Sequence, residues 1–177
     1  MATETLYYTI KPCSLGMLLV ALSKKGLCAI LIDDEASYLQ EELKKRFPEA
    51  DLIKDEKITG ETHAKVVDLI DHPQHHIPIR LDERGTLFQK QVWQALREIP
   101  VGKTTTYSAI AQQLGRPLAV RAVGAACGAN PLAVLTPCHR VLSKDGKLTG
   151  FRWGKERKLK LLQNEGLFPG VSSEPSP

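Results

Sequence analysis

The stretch "TTYSAIAQQLGRPLAVRAVGAACGAN" (105–130) decides the fold of this chain. Its first part reads as a short helix closed by Gly115, and its second, from Arg116, as another helix rich in alanine and glycine. Two helices joined by a short glycine-containing turn form a helix-turn-helix. The second helix of that motif usually lies in the major groove of DNA. Here Ala119, Ala122, Gly124, Ala125, Ala126, Gly128 and Ala129 leave it few side chains able to reach base edges. So thin a helix suits the narrower minor groove. Tight helix packing accounts for the same small residues and can coexist with that use.

Outward from this motif the chain continues mainly helical. Upstream, "TLFQKQVWQALREI" opens with Thr86 and Gln89 in capping-box spacing, and Phe88, Val92, Leu96 and Ile99 recur on one helical face. Pro100 and Gly102 end it. Downstream, "KDGKLTGFRWG" reads as a glycine-rich hairpin or loop, and "KERKLKLLQNEG" as a final helix. The first 80 residues differ. "LYYTI", "GMLLVALS" and "GLCAILI" are β-prone runs, the last two joined by "SKKG" as a hairpin. "DDEASYLQEELKKRF" is acidic at its start and basic at its end, as a helix dipole favours. "TGETHAKVVDLIDH" is a second helix, and "IPIRLD" a strand or extended linker. The expected fold class is α+β. A small N-terminal α/β domain (1–82; a β-hairpin sheet plus helices) precedes a mainly helical C-terminal domain (83–170). Residues 171–177 form a disordered tail.

Hydrophobic residues make up 42% of the 177, enough for a core, and no apolar run approaches the length of a membrane span. The start, "MATETLYYTI", lacks the basic and apolar regions of a secretory signal. Cys13, Cys28, Cys127 and Cys138 have neither CxxC nor zinc-type spacing, which points to a reduced, cytoplasmic protein with free thiols. Charge is uneven. Residues 1–80 carry 10 Lys and Arg against 13 Asp and Glu, whereas residues 81–177 carry 14 against 7. A basic half suggests a polyanionic partner, although solvated lysines give the same count.

"VLTPCHRVLS" (134–143) carries the chemistry. Cys138 can be a packing residue, a metal ligand or a nucleophile. Pro137 stiffens the backbone before it and biases Thr136 toward extended geometry. His139 supplies a base that titrates near neutrality. Thiolate is the reactive form, and nearby cations favour it. In an extended segment the Cys138 and His139 side chains point apart, so their cooperation needs a bridging water or a bent backbone. A third group should orient the imidazole, and spacing alone does not name it.

With "AVRAVGAACGANP" before it and "LTGFRWG…LLQNEG" after it, "PCHRV" closely resembles the O6-alkylguanine–DNA alkyltransferases. "GTLFQKQVWQALREIPVGKTTTYSAIAQQLGRP" is similar to the same family, so the likeness runs from Gly85 to Gly166. "RWG" looks most like the alkyltransferase half of the bacterial adaptive-response proteins, without room for their additional metal-binding module. The resemblance implies that Cys138 attacks the alkyl carbon on guanine O6, mainly methyl, in a single irreversible turnover without a cofactor. It implies that His139 activates Cys138 through water, Glu165 orients His139, Asn130 ties the helix-turn-helix to the active-site turn, and Tyr107 donates to the leaving guanine. The carbonyls of Cys138 and Val141 would accept from the exocyclic amine, and the amide of Arg152 would face O6. Phe151 stands where the family commonly has tyrosine, keeping a wall for the base without its hydroxyl. Trp153, glycine in some members, would wall the alkyl pocket and disfavour benzyl groups; the alternative is an outward ring packed near Leu159.

The resemblance also implies the partner: double-stranded DNA carrying O6-alkylguanine, or O4-alkylthymine, bound by a monomer with no membrane contact. The base must leave the helix for its alkyl group to reach a pocket. Arg121 would fill the gap, with Ala122, Gly124 and Ala125 along the same helix, while Arg116, Lys103 and Arg84 are candidates for phosphates. His72, His75, His76, Cys13 and Cys28 invite a zinc reading. Only Cys28 matches a ligand position of zinc-bearing members, so no metal is expected. Three other classes share these residues. A non-enzymatic binder of alkylated bases lacks the motif cysteine, a helix-turn-helix regulator needs a sensor module, and a cysteine hydrolase needs an oxyanion site.

Overall fold

A computed structural model describes residues 3–148 and 150–170. The segment taken as a disordered tail, 171–177, lies outside the described residues. The N-terminal half is a four-stranded sheet with two helices. Strands β1 (Thr5–Cys13), β2 (Gly16–Ser23) and β3 (Gly26–Asp33) form an antiparallel meander. Helix α1 (Ala36–Arg46) follows, with Lys44, Lys45 and Arg46 in its last turn. The acidic run sits just before the helix, with Glu35 as its N-cap, so only the basic end follows the expected charge order. Strand β4 (Asp51–Lys54) then pairs parallel to β1, giving the order β3-β2-β1-β4. Helix α2 (Glu56–Asp71) starts three residues before the expected segment, because the Asp55 carboxylate accepts from the Ile58 amide as N-cap.

Strand β3 is nearly all buried although it ends the sheet. Two segments cover its free edge. The amide of Leu27 donates to Arg80 O and that of Asp82 to Leu27 O, so "IPIRLD" runs beside β3 as an extended linker with one bridge at Leu81. Further along, the Ile30 amide donates to Pro131 O. An edge strand leaves backbone groups unpaired, and here they fix the segment that leads to Cys138. Gly26 makes the first contact possible: its φ is +142°, and a Cβ there would lie 2.5 Å from Arg80 O.

The second half holds α3 (Leu87–Arg97), α4 (Tyr107–Gln113) and α5 (Val120–Gly128), followed by a 3-10 turn (Cys138–Arg140) and α6 (Lys155–Asn164). Short strands β5 (Thr105–Thr106) and β6 (Val141–Leu142) pair in parallel; the sequence reading starts the short helix at Thr105 and assigns no element to Val141–Leu142. The Thr86–Gln89 capping box forms in both directions, at 2.9 and 3.1 Å. Thr106 caps α4 through the Ala109 amide. Helices α4 and α5 pack as a helix-turn-helix, and the Trp93 indole of α3 donates to Ala126 O at 2.8 Å. The core is in two parts. One lies between the sheet, α1, α2 and α6; the other lies among α3, α4, α5 and the 3-10 turn. Phe151 touches both.

Candidate active site

Cys138 and His139 lie on one tight 3-10 turn, with Pro137 as its N-cap. The backbone is bent rather than extended, which removes the objection that adjacent side chains must diverge. Val134, just upstream, holds φ +73°. A β-branched residue in that region is strained by roughly 1–3 kcal/mol. The turns Thr136 N to Leu132 O and Leu135 N to Ala133 O, both 2.9 Å, hold it there.

Asn130 joins the end of α5 to this turn. Its Nδ2 donates to Thr136 O at 2.7 Å and to Cys138 Sγ at 3.3 Å, and its Oδ1 accepts from the Leu132 amide at 2.9 Å. Every polar arm of the amide is used, so asparagine cannot be replaced by an isosteric acid without losing a donor. Burial pushes the Cys138 thiol up, against the Asn130 amide and a nearby ammonium, Lys158. At rest the sulfur therefore keeps its proton.

His139 Nε2 lies 2.7 Å from Glu165 Oε2, with both side chains 2% exposed. Glu165 also accepts from Arg140 Nε at 2.9 Å and from the Gly102 amide at 3.0 Å. Burial would raise the Glu165 carboxyl, but these donors, His139 first, outweigh it and hold the group below its usual value. Burial pulls His139 down despite the carboxylate, so the imidazole is neutral. A carboxylate only accepts, so Nε2 carries the proton and Nδ1 presents a lone pair. His139 Nδ1 is buried with no hydrogen-bond partner. A neutral thiol beside a neutral imidazole with a free basic nitrogen is a nucleophile awaiting activation.

Lys158 was not singled out in the sequence. It is fully buried, and its Nζ donates to Val141 O at 2.6 Å. Burial pulls its pKa down to about 8, and the Cys138 and Cys127 thiols tend to raise it. Its signal was present: Leu161 and Leu162 follow at i+3 and i+4, on the buried face of α6. Arg140 was missed too. It spans Glu165 and Ile99 O, the latter at 2.6 Å, and its Nε meets both carboxylate oxygens, at 2.9 and 3.1 Å.

Tyr107, at the start of α4, packs against the cluster that holds Cys138. Its hydroxyl faces Gly150 O at 3.5 Å, and burial pushes its pKa to about 12, so it stays a donor. Phe151 stands edge-on to His139, ring centroids 6.5 Å apart. Trp153 is 6% exposed and packs with the cluster that includes Val134 and Leu161. It is buried rather than turned outward to solvent. Arg152 turns its guanidinium to Glu42 on α1.

On α5, Arg121, Ala122, Ala125 and Gly128 are exposed while Val123, Ala126 and Cys127 are buried. Nothing lies within 4 Å of a Cβ built on Gly124 or Gly128. The outer face of the helix is thus open as well as thin. Arg84, a candidate for phosphate, is instead held by Glu4 and Asp82. Arg116 lies over the Phe88 ring at 5.6 Å, and Lys103 is exposed. Among the described residues no group of three or more His, Cys, Asp or Glu could hold a metal ion.

Fold and site together define a helix-turn-helix protein with a buried cysteine next to a histidine–glutamate pair. The family model for the 6-O-methylguanine DNA methyltransferase DNA-binding domain matches residues 87–167. The inducible methylated-DNA–protein-cysteine methyltransferase of Bacillus subtilis is 38% identical over 162 residues, covering 91% of this chain and 90% of that protein. The corresponding Methanosarcina barkeri protein is 40% identical, covering 90% of this chain and 98% of its own length. The bifunctional transcriptional activator/DNA repair enzyme Ada of Escherichia coli is 46% identical over 158 residues; the chain spans 45% of Ada's length. The crystal structure of Mycobacterium tuberculosis OGT in complex with DNA superposes with a TM-score of 0.74 at 34% identity, covering 90% and 92% of the two chains. The chain belongs to the methylated-DNA–protein-cysteine methyltransferase family.

Proposed function

We propose that this chain repairs O6-alkylguanine in double-stranded DNA by transferring the alkyl group, chiefly methyl, to Cys138. The observation that carries the reading is the His139–Glu165 pair, which leaves His139 Nδ1 as a buried, unpartnered base beside Cys138 on one turn. His139 Nδ1 takes the thiol proton through a bridging water, and Glu165 stabilises the imidazolium that forms. The Lys158 ammonium balances the thiolate. Sulfur attacks the alkyl carbon, the carbon–O6 bond breaks, and guanine leaves with a hydrogen bond or proton from Tyr107. The product is a thioether with no leaving group, so each molecule acts once. Atoms balance without metal, redox partner or cofactor: sulfur exchanges its proton for the alkyl group, and the proton taken by His139 returns through solvent to Tyr107 and the departing guanine, which leaves neutral.

The exposed face of α5 supports docking in the minor groove, with Arg121 filling the space of the extruded base. The carbonyls of Cys138 and Val141, the Arg152 amide and the Phe151 ring would receive that base. O4-alkylthymine offers the same electrophile and would be the second substrate. No helix among the described residues is long and apolar enough to cross a membrane, and the four cysteines are free. Both fit a cytoplasmic monomer. The test is stoichiometry. A duplex with one O6-methylguanine should be restored to guanine until the moles repaired equal the moles of protein. Continued turnover under substrate excess would overturn the reading.

A further inference from the structure

Resting on this reading, we infer that Glu42 of α1 is a positioning residue for alkyl transfer: by holding Arg152 it fixes the segment whose backbone amide receives guanine O6. The N-terminal domain then sets the geometry of a reaction carried out in the other domain.

Arg152 Nη2 donates to Glu42 Oε2 at 2.7 Å across the two halves of the chain. The Glu42 side chain is 12% exposed and that of Arg152 is 32% exposed, so the pair is neither a solvated surface bridge nor a fully buried one. The Arg152 guanidinium also lies 5.0 Å over the Trp153 ring, which is anchored in the N-terminal core. Side chain and neighbour thus pull the segment the same way. On its other side, Phe151 meets the His139 ring edge-on. The segment is suspended between the catalytic turn and the N-terminal domain; one turn, closed by Gly154 N to Phe151 O at 3.1 Å, shapes it, and it lies in no helix or strand. A loop held at its ends can drift by an ångström in the middle, and such a drift is costly where a hydrogen bond must meet a developing charge.

Arg46, one turn after Glu42, sharpens the point. Its Nε and Nη2 are buried without a hydrogen-bond partner. The Glu42 carboxylate has two cations on its own helix, Arg46 and Lys45, whose Nζ lies 4.0 Å from Oε1, yet its 2.7 Å hydrogen bond is to the arginine of the loop. Helix packing alone does not require that choice.

The test compares Glu42→Gln, Arg152→Met, the double variant and Arg46→Met with the wild type. Binding of methylated duplex and first-order transfer at saturating protein are measured separately. Cys138 labelling by iodoacetamide reports whether the thiol itself is intact. Glu42→Gln and Arg152→Met should each slow saturated transfer by about tenfold, with affinity and labelling unchanged. The double variant should be no slower than either single one, Glu42→Asp should recover part of the rate, and Arg46→Met should transfer like the wild type. Wild-type transfer by Glu42→Gln would overturn the inference, as would multiplicative losses in the double variant. A loss confined to affinity would make Arg152 a DNA contact and remove Glu42 from positioning; lost labelling would show damage to the fold. Absence of transfer by the wild type would instead sink the repair reading, and this inference with it.

Discussion

Lys158 Nζ donates to Val141 O at 2.6 Å, and the lysine is fully buried. A carbonyl has two lone pairs, so Val141 can still accept from a base while the ammonium fixes its direction. The same ammonium is the cation that lowers the Cys138 thiol from the value burial would give it. Its burial is unfavourable to folding and useful to chemistry.

Replacing Lys158 by methionine should therefore separate the two. Transfer should slow by about ten- to a hundredfold, since the thiolate loses its counter-charge. Stability at pH 7 should rise, because a buried charge exchanged for an apolar chain of similar length is often stabilising by about 1–4 kcal/mol. The sign follows from the pKa of about 8 in the fold against 10.5 for a free lysine. Between these values the unfolded chain binds more protons, so wild-type stability gains as pH rises. The variant's advantage should be full below about pH 8 and shrink above it. Thermal unfolding from pH 7 to 10 checks this, and a variant less stable than wild type at pH 7 contradicts it.

Glu165→Gln should slow transfer by about a hundredfold or more, measured on protein shown to be folded. Glu165 raises the His139 pKa, so its removal lowers an imidazole that burial has already depressed. The acid limb of the pH–rate profile should move to lower pH while the maximum falls. For stability the pH trend has the same sign as for Lys158: both groups titrate lower in the fold than in the unfolded chain, so stability gains as pH rises. The Glu165 carboxyl is held below the 4.5 of a free glutamate, so its contribution is full at neutral pH and is lost as pH falls through the acid range. An unaltered rate profile between pH 5 and 9 would remove Glu165 from the mechanism.

Arg121 is exposed on the outer face of α5. Arg121→Ala should slow repair of duplex DNA by up to the few kcal/mol that unstacking costs, and leave attack on free O6-methylguanine almost unchanged. Rates on the two substrates, taken as a ratio to wild type, decide it. Equal slowing would place Arg121 in folding or chemistry.

Trp153→Ala should destabilise the protein by about 3–5 kcal/mol, the usual range for a large buried aromatic. It should not raise sensitivity to O6-benzylguanine once rates are normalised to methyl transfer, because the ring lies in the N-terminal core. A selective gain for the benzyl compound would place Trp153 on the pocket wall.

Much of this was legible in the residues. The hydrophobic period of 86–99, the Thr86–Gln89 box and the glycine stops set the helices, because each is a local effect. Strand β4 was not legible: "DLIK" is four residues long, and its pairing with β1 is parallel and distant in sequence. The short β5–β6 pair escaped for the same reason. At the site, resemblance drew attention to Cys138, His139 and Glu165, but Lys158 and Arg140 look like surface cations until a fold buries them. Arg152 was assigned through its amide, and only the fold brings its side chain to Glu42.

The most direct measurement is the intact mass of the protein after reaction with an oligonucleotide duplex carrying one O6-methylguanine, followed by peptide mapping. The account predicts a gain of one methyl in place of one hydrogen, confined to the Cys138 peptide, with none in a Cys138→Ser variant that still binds the duplex. Restored guanine with an unmodified Cys138, or methyl found on Cys127 in its place, would contradict it.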